Sequence, residues 1–187
     1  MMRFPFRQEL VLEGRNLLLR SLRRQHAEAL FFIVDRNRND LLQSFPILCS
    51  EVISTARARV WITERQRMQK QGQQLVFSLI SRDDGAMVGY LAAVHIEHRV
   101  PKCELAYFMD AAYRGRGYMK EALELLLDLL FEGLNFKKVL CRVAPENEPS
   151  LRLLEGLGFE REGLIRNDFR SGQGQIGDCV YLGKLPA

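Results

Sequence analysis

The chain has 187 residues, 47% of them hydrophobic and 27% charged, with a formal net charge of +4. That length and balance are those of an ordinary globular protein with one sizeable core, and two domains are not expected. The longest apolar run, Leu125 to Phe131, is broken by Asp128 and is too short to span a bilayer, and MMRFPFRQE lacks a secretory apolar segment, so a cytoplasmic protein without a membrane partner is expected.

In chain order, Leu17 to Leu19 predict a first strand after Glu13-Gly14-Arg15-Asn16. LRRQHAEALFFIV (22–34) predicts a helix with an apolar face, and Asn37 to Pro46 a loop. From Ser50 to Lys70 the pattern predicts one long amphipathic helix carrying Trp61 and Ile62 and ending near Gly72. Its basic run, ARARVWITERQRMQK (56–70), reads first as a solvated polar face. LVFSLI (75–80) and MVGYLAAVHI (87–96) predict two strands joined through Ser81-Arg82-Asp83-Asp84-Gly85, which has the Asp-Gly chemistry of a hairpin turn. The strand CELAYFM (103–109) leads into AYRGRGYMKEALELLLDLLF, a glycine-rich turn and an apolar helix. The strand KVLCRVA (138–144), a short helix from Pro149 to Gly156, and two strands around GFEREGLI and GDCVYLGKL complete the chain. With no repeat or linker, this mixed α/β order is assigned to one domain over residues 1–187.

Cys49, Cys103, Cys141 and Cys179 are scattered without a CxxC pair, so free thiols are expected. His95 and His98 lie in a strand-like stretch that points them to opposite faces, and no metal is expected. The pI near 9.0 favours an anionic ligand or acidic partner. No aromatic-basic motif or zinc-finger spacing points to direct nucleic-acid binding.

Arg114-Gly115-Arg116-Gly117 places bare backbone and positive charge at the start of a helix. Glycine lets the main chain approach a ligand closely, and a helix N-terminus presents unpaired N–H groups to an anion, so a diphosphate is the expected ligand. The turn has no Gly-Lys-Ser/Thr of a P-loop and lacks the third glycine of a dinucleotide fingerprint. What remains is R-x-x-G-x-M: Arg114, Gly117 and Met119.

That motif resembles the Q/R-x-x-G-x-G/A pyrophosphate loop of the GNAT superfamily of acyl-CoA-dependent N-acetyltransferases, with Met119 departing from the small sixth residue. Over nearly the whole chain the sequence is similar to the RimJ/RimL-like branch, which includes ribosomal-protein alanine N-acetyltransferases. GRNLLLRSL looks like its T-x-R-L-x-L-R strand, ELAYFMDAAYRGRGYMKEAL its E-L-G-Y-x-x-D-x-x-x-Q-G-x-G-Y-x-x-E-A-L block, and APENEPSLRLLEGLGFEREG its N-x-x-S and G-F-x-x-E-G block. The resemblance implies a GNAT-type α/β domain: a mixed, mostly antiparallel sheet of about seven strands, splayed at the acetyl-CoA site and flanked by helices. It also implies acetyl-CoA as cosubstrate, no metal, and direct attack of an amine on the thioester.

By the same resemblance, the main chain of Tyr107, Phe108 and Met109 holds the pantetheine arm, and the amides of Arg114, Gly115, Arg116, Gly117, Tyr118, Met119 and Lys120 hold the pyrophosphate. Side chains of Arg114 and Arg116 add charge there. Glu104 is the first candidate for the base and Asp168 the second; the alternative for each is an ordinary surface carboxylate. Many superfamily members carry a tyrosine acid where this chain has Leu154, which cannot donate a proton, so Ser150 becomes the candidate proton donor and Asn147 a cofactor contact. Helix capping is the competing role for both.

The implied acceptor is a protein N-terminal α-amine, as on a ribosomal protein, with the basic helix docking to an acidic surface. Small amines, amino acids and antibiotics are the alternative, because the family's W-x-P segment stands here as Ser44-Phe45-Pro46. A cysteine nucleophile is a lesser idea, since Cys103 and Cys141 have no histidine close in sequence. Two other classes stay open: a CoA-binding regulatory module without turnover, and a basic nucleic-acid-binding protein. A monomer or a homodimer fits either outcome.

Overall fold

The computed structural model describes residues 9–186, so residues 1–8 of the N-terminal stretch read for a leader lie outside the described residues. The chain folds as β1 (Val11–Glu13), β2 (Leu17–Ser21), α1 (Ala27–Arg36), α2 (Arg38–Ser44), α3 (Pro46–Glu51), α4 (Thr55–Lys70), β3 (Leu75–Ser81), β4 (Met87–Glu97), β5 (Lys102–Met109), α5 (Tyr118–Asp128), β6 (Lys138–Val143), α6 (Glu148–Gly156), β7 (Glu160–Arg170) and β8 (Ile176–Lys184). The strands form one eight-stranded sheet in the order β1-β2-β3-β4-β5-β6-β8-β7. Every neighbouring pair is antiparallel except β5 and β6.

Both faces of the sheet are covered. Leu75, Phe77 and Leu79 of β3 pack with Leu123, Leu126 and Leu130 of the helix α5 side, whereas Val76 of the same strand packs with Ile33, Ile62 and Trp61 under α1 and α4. This is the period of two along a strand, and burial on both faces is why LVFSLI reads as one apolar run. In α5 the buried set Tyr118, Ala122, Leu123, Leu126 and Leu127 recurs at helical spacing. Each fully buried leucine contributes about 1.5–3 kcal/mol.

Two helical expectations are corrected. Residues 37–46 are not a loop: Arg38–Ser44 is α2, hidden in the sequence by the polar run Arg36-Asn37-Arg38-Asn39-Asp40. Asn37 is 5% exposed and its Nδ2 donates to Ile33 O at 2.8 Å, so a polar side chain closes α1 and is buried doing it. The helix expected from Ser50 to Lys70 is two: α3 ends at Glu51, and Ser54 opens α4 by accepting Arg57 N–H on its Oγ at 3.2 Å. The strand beyond the expected seven is β1, whose three residues are too short to show alternation.

The feature that positions the site is a divergence. β5 and β6 pair only over Lys102↔Lys138, Cys103↔Val139 and Glu104↔Leu140. β5 stays on β4 as far as Gly89↔Met109, while β6 follows β8 to Val143↔Val180. The backbone of Leu105 to Met109 therefore has one edge without a strand partner, facing a wedge. The expected splay is present.

Candidate active site

On one side of the wedge lies a cavity of about 760 Å³, lined by Tyr107, Phe108 and Met109 of β5, by Arg114, Gly115, Gly117, Tyr118, Met119 and Lys120, and by Asn147 just before α6 and Ser150 in its first turn. Gly115 and Gly117 hold φ of +75° and +79°, and a Cβ at either would meet nothing within 4 Å. Glycine is thus required by the left-handed backbone, and open space lies where a ligand would approach. Gly117 supplies no side-chain cap to α5, whose first N–H groups have no intrahelical acceptor. Together these fit a diphosphate seated on main chain at a helix N-terminus.

Side chains hold this loop from behind. Asp110, 1% exposed, ion-pairs with Arg36, accepts Asn37 Nδ2 at 3.1 Å and caps the turn through Ala112 N–H at 3.3 Å. Asn37 returns the contact by accepting Ala111 N–H at 3.0 Å. Tyr118 OH donates to Asp83 at 2.7 Å and Tyr113 OH to Asp84 at 2.5 Å, tying the loop to the β3–β4 turn. Arg114 lines the cavity with its guanidinium held by Met109 O (3.2 Å) and Asp40 (2.9 Å). Arg116 is not among the lining residues: it stacks 5.0 Å over the Tyr113 ring and donates to Ala112 O at 3.2 Å.

A second cavity of about 470 Å³ opens on the other side, lined by Phe45, Trp61, Arg65, Tyr90, Glu104, Arg142 and Asp168 among others. Tyr107, Asn147 and Ser150 line both cavities and so mark their junction. There Tyr107 OH and Ser150 Oγ are 3.2 Å apart. Burial pushes the Tyr107 phenol well above its ordinary range, outweighing the lowering by the Ser150 hydrogen bond, so it stays protonated. Asn147 caps α6, its Oδ1 accepting Ser150 N–H at 3.3 Å, and lines the junction as well. Leu154 is fully buried in the core.

Both candidate carboxylates are in the second cavity and share one cation. Glu104 accepts Arg142 Nε at 2.8 Å, and Arg142 Nη1 reaches Asp168 at 3.5 Å. Burial is the largest single influence and disfavours the Arg142 charge, but the hydrogen bond and charge of Glu104 together with those of Tyr181 outweigh it and hold the guanidinium protonated. Glu104 also meets His95 Nδ1 at 3.0 Å, and Asp168 accepts Tyr181 OH at 3.0 Å.

Arg142, His95, Tyr181 and the Tyr107 hydroxyl were not legible as site residues. Arg142 lies on β6 two residues past Leu140, the partner of Glu104, which is a matter of register between strands far apart in sequence. His95 sits in the irregularity between Val94 and Glu97 with φ of +50°, whereas His98 Nε2 goes elsewhere, to Gly72 O at 2.9 Å. All four cysteines are buried free thiols; burial pushes Cys103 up to about 12 and Cys141 higher, so neither is a thiolate nucleophile near neutral pH.

The acetyltransferase (GNAT) domain model matches residues 16–160. An uncharacterized N-acetyltransferase of Bacillus licheniformis, p20, is 32% identical over 130 residues, 70% of this chain and 72% of that one. The spermidine N(1)-acetyltransferase of Escherichia coli K12 is 31% identical over 86 residues, 46% of each chain. Among solved structures, RimL, described as a ribosomal L7/L12 α-N-protein acetyltransferase in complex with coenzyme A, superimposes with a TM-score of 0.87 at 18% identity, covering 94% of this chain and 98% of that one. The ribosomal-protein-S5-alanine acetyltransferase of Vibrio fischeri gives 0.83 at 19% identity, over 94% and 96%. At such identities the structural likeness shows the fold. The motif, the wedge and the family match together establish that the chain belongs to the GNAT acetyltransferase family and is an acyltransferase using acetyl-CoA.

Proposed function

We propose that this enzyme acetylates the α-amine of a protein N-terminus, with a ribosomal protein as the first acceptor to test. The observation that carries the reading is the junction: a cavity suited to the cofactor and a cleft holding Glu104 meet at Tyr107 and Ser150. The solved neighbours named for ribosomal-protein acetylation support the choice of acceptor.

Acetyl-CoA, when bound, supplies an activated acyl thioester. The wedge-side main chain of Tyr107 to Met109 aligns the arm, and the loop amides from Arg114 to Lys120 hold the phosphates. Glu104 takes the proton the amine loses, directly or through one water, with Arg142 and His95 fixing its two oxygens. The amine nitrogen bonds the acyl carbon as the carbon–sulfur bond breaks, and the Tyr107–Ser150 hydroxyl pair delivers a proton to the departing sulfur. Asp168 is a positioning residue for Arg142.

A second reading is acetylation of a small polyamine. It is favoured by two carboxylates, Glu104 and Asp168, in one cleft and by the relative named for spermidine. Coenzyme A release, followed by a thiol reagent over a panel of N-terminal peptides, amino acids and polyamines, decides between them. Release for peptides over polyamines is expected; release for spermidine alone would overturn the first reading. Acetyl-CoA binding without release for any amine would support the regulatory module instead.

A further inference from the structure

Two buried side-chain donors among the described residues lack a hydrogen-bond partner, Trp61 Nε1 and Arg65 Nε, and both residues line the cleft that holds Glu104. They stand four apart on α4, on one face of the helix, with the Arg65 guanidinium 4.8 Å over the Trp61 ring. The neighbouring basic residues Arg57, Arg59 and Arg67 are exposed, so Arg65 is the member of the basic run that turns inward. Its guanidinium has, among the described residues, the Met68 sulfur as polar neighbour (Nη1···Sδ 3.6 Å) and no carboxylate in ion-pair range. Trp61 is 6% exposed and continues into an aromatic wall, 5.7 Å from Tyr90, which stacks on Phe108 at 5.5 Å, which in turn meets Phe45 at 5.4 Å.

Trp61 Nε1 and Arg65 Nε are closed to solvent where they stand, so the group left for a ligand is the Arg65 guanidinium as a whole, a charge lining the cleft without a carboxylate, which calls for an oxygen acceptor brought by the ligand as the side chain turns toward it. We infer that Trp61 and Arg65 form an acceptor subsite that takes a carboxylate or peptide carbonyl of the substrate while its amine lies toward Glu104. The inference rests on reading this cleft as the acceptor side. It makes the enzyme selective for amines that carry such an oxygen, because a site built around hydrogen-bond donors rejects a ligand that leaves them unpaired. A polyamine brings only cations and donors to an arginine, and is disfavoured by charge as well.

Trp61 is the single tryptophan of the chain, so its fluorescence reports this subsite without any turnover. The probes are a short peptide with a free N-terminus and a glutamyl side chain, its glutaminyl and C-terminal amide counterparts, and spermidine, each titrated into the enzyme with coenzyme A bound. The oxygen-bearing peptides should shift Trp61 emission saturably, most strongly with the carboxylate, and spermidine should not. Arg65→Met should weaken peptide binding and raise KM about tenfold or more, as expected for loss of a charge-assisted hydrogen bond. Arg65→Lys, which keeps the charge but loses the planar guanidinium fork, should fall between, and acetyl-CoA titration certifies that both variants are folded. Saturable emission change without thiol release would sustain the subsite and overturn acetylation of that acceptor. Peptide acetylation indifferent to Arg65→Met, or an equal response to spermidine, would overturn the subsite and leave the peptide reading standing. No emission change with any oxygen-bearing probe overturns it too.

Discussion

The two halves of the site are made differently. The half we propose for the cofactor is built of main chain: Gly115 and Gly117 at positive φ, the start of α5, and an unpaired edge of β5, with side chains such as Asp110, Asn37 and Tyr118 bracing it from behind. The half we propose for the acceptor is built of side chains from distant elements, with Trp61 and Arg65 on α4, Glu104 on β5, Arg142 on β6 and Asp168 on β7 meeting in one cleft. A backbone-built site demands particular residues at fixed local spacing, so a motif records it. A side-chain site depends on register and packing, which no short stretch of sequence records.

The sharpest way to break the contrast is Gly117→Asp. It places a β-carbon at φ +79° and a carboxylate against phosphates, so acetyl-CoA affinity should fall by about 100-fold or more by calorimetry while the circular dichroism is retained. Unchanged affinity in a folded variant would refute the loop assignment. On the other half, Glu104→Gln should lower kcat by about 100-fold with acetyl-CoA affinity kept; a wild-type rate would move the base elsewhere in the cleft. The bracing behind the loop is a smaller effect of a different kind. Asp110→Ala takes one of the two acceptors from Asn37 Nδ2 and the side-chain acceptor from Ala112 N–H, and because Arg36 is 53% exposed most of the loss comes from those hydrogen bonds. About 2–4 kcal/mol of stability should be lost in urea melts, with weaker cofactor binding following. The smallest effect is alkaline. Burial raises the Cys103 thiol from 9.0 to about 12, so above pH 9 the unfolded chain releases this proton before the folded one, and the contribution is full below pH 9 and is lost as pH rises toward 12. The melting midpoint should drop roughly 2–4 °C between pH 8 and pH 10, and a flat profile would contradict that burial.

Much of the fold was legible, because its long strands and α5 have clean periodicity and the β3–β4 turn has Asp-Gly chemistry. α2 is not legible because Asn37 buries a polar side chain in the very run that reads as loop, and the break before α4 is masked by a continuous helical pattern although Ser54 is an ordinary N-cap residue. In the site, Glu104, Asp168, Asn147 and Ser150 were named from the family resemblance and are all found in the cleft. Arg142 and His95 were out of reach, one fixed by parallel pairing and the other by a strand irregularity. The family resemblance gives Tyr107 a main-chain role, and its hydroxyl beside Ser150 is what a linear motif does not convey.

The central claim is that the two halves meet at Tyr107 and Ser150, and single-turnover coenzyme A release by Tyr107→Phe at saturating acetyl-CoA tests it most directly. The account predicts acetyl-CoA affinity close to that of the unmodified enzyme with release slowed about tenfold to 100-fold, and further slowed in the Tyr107→Phe, Ser150→Ala double variant. Release at the unmodified rate in both variants would contradict it, returning Ser150 to its place in the first turn of α6 and the Tyr107 hydroxyl to packing.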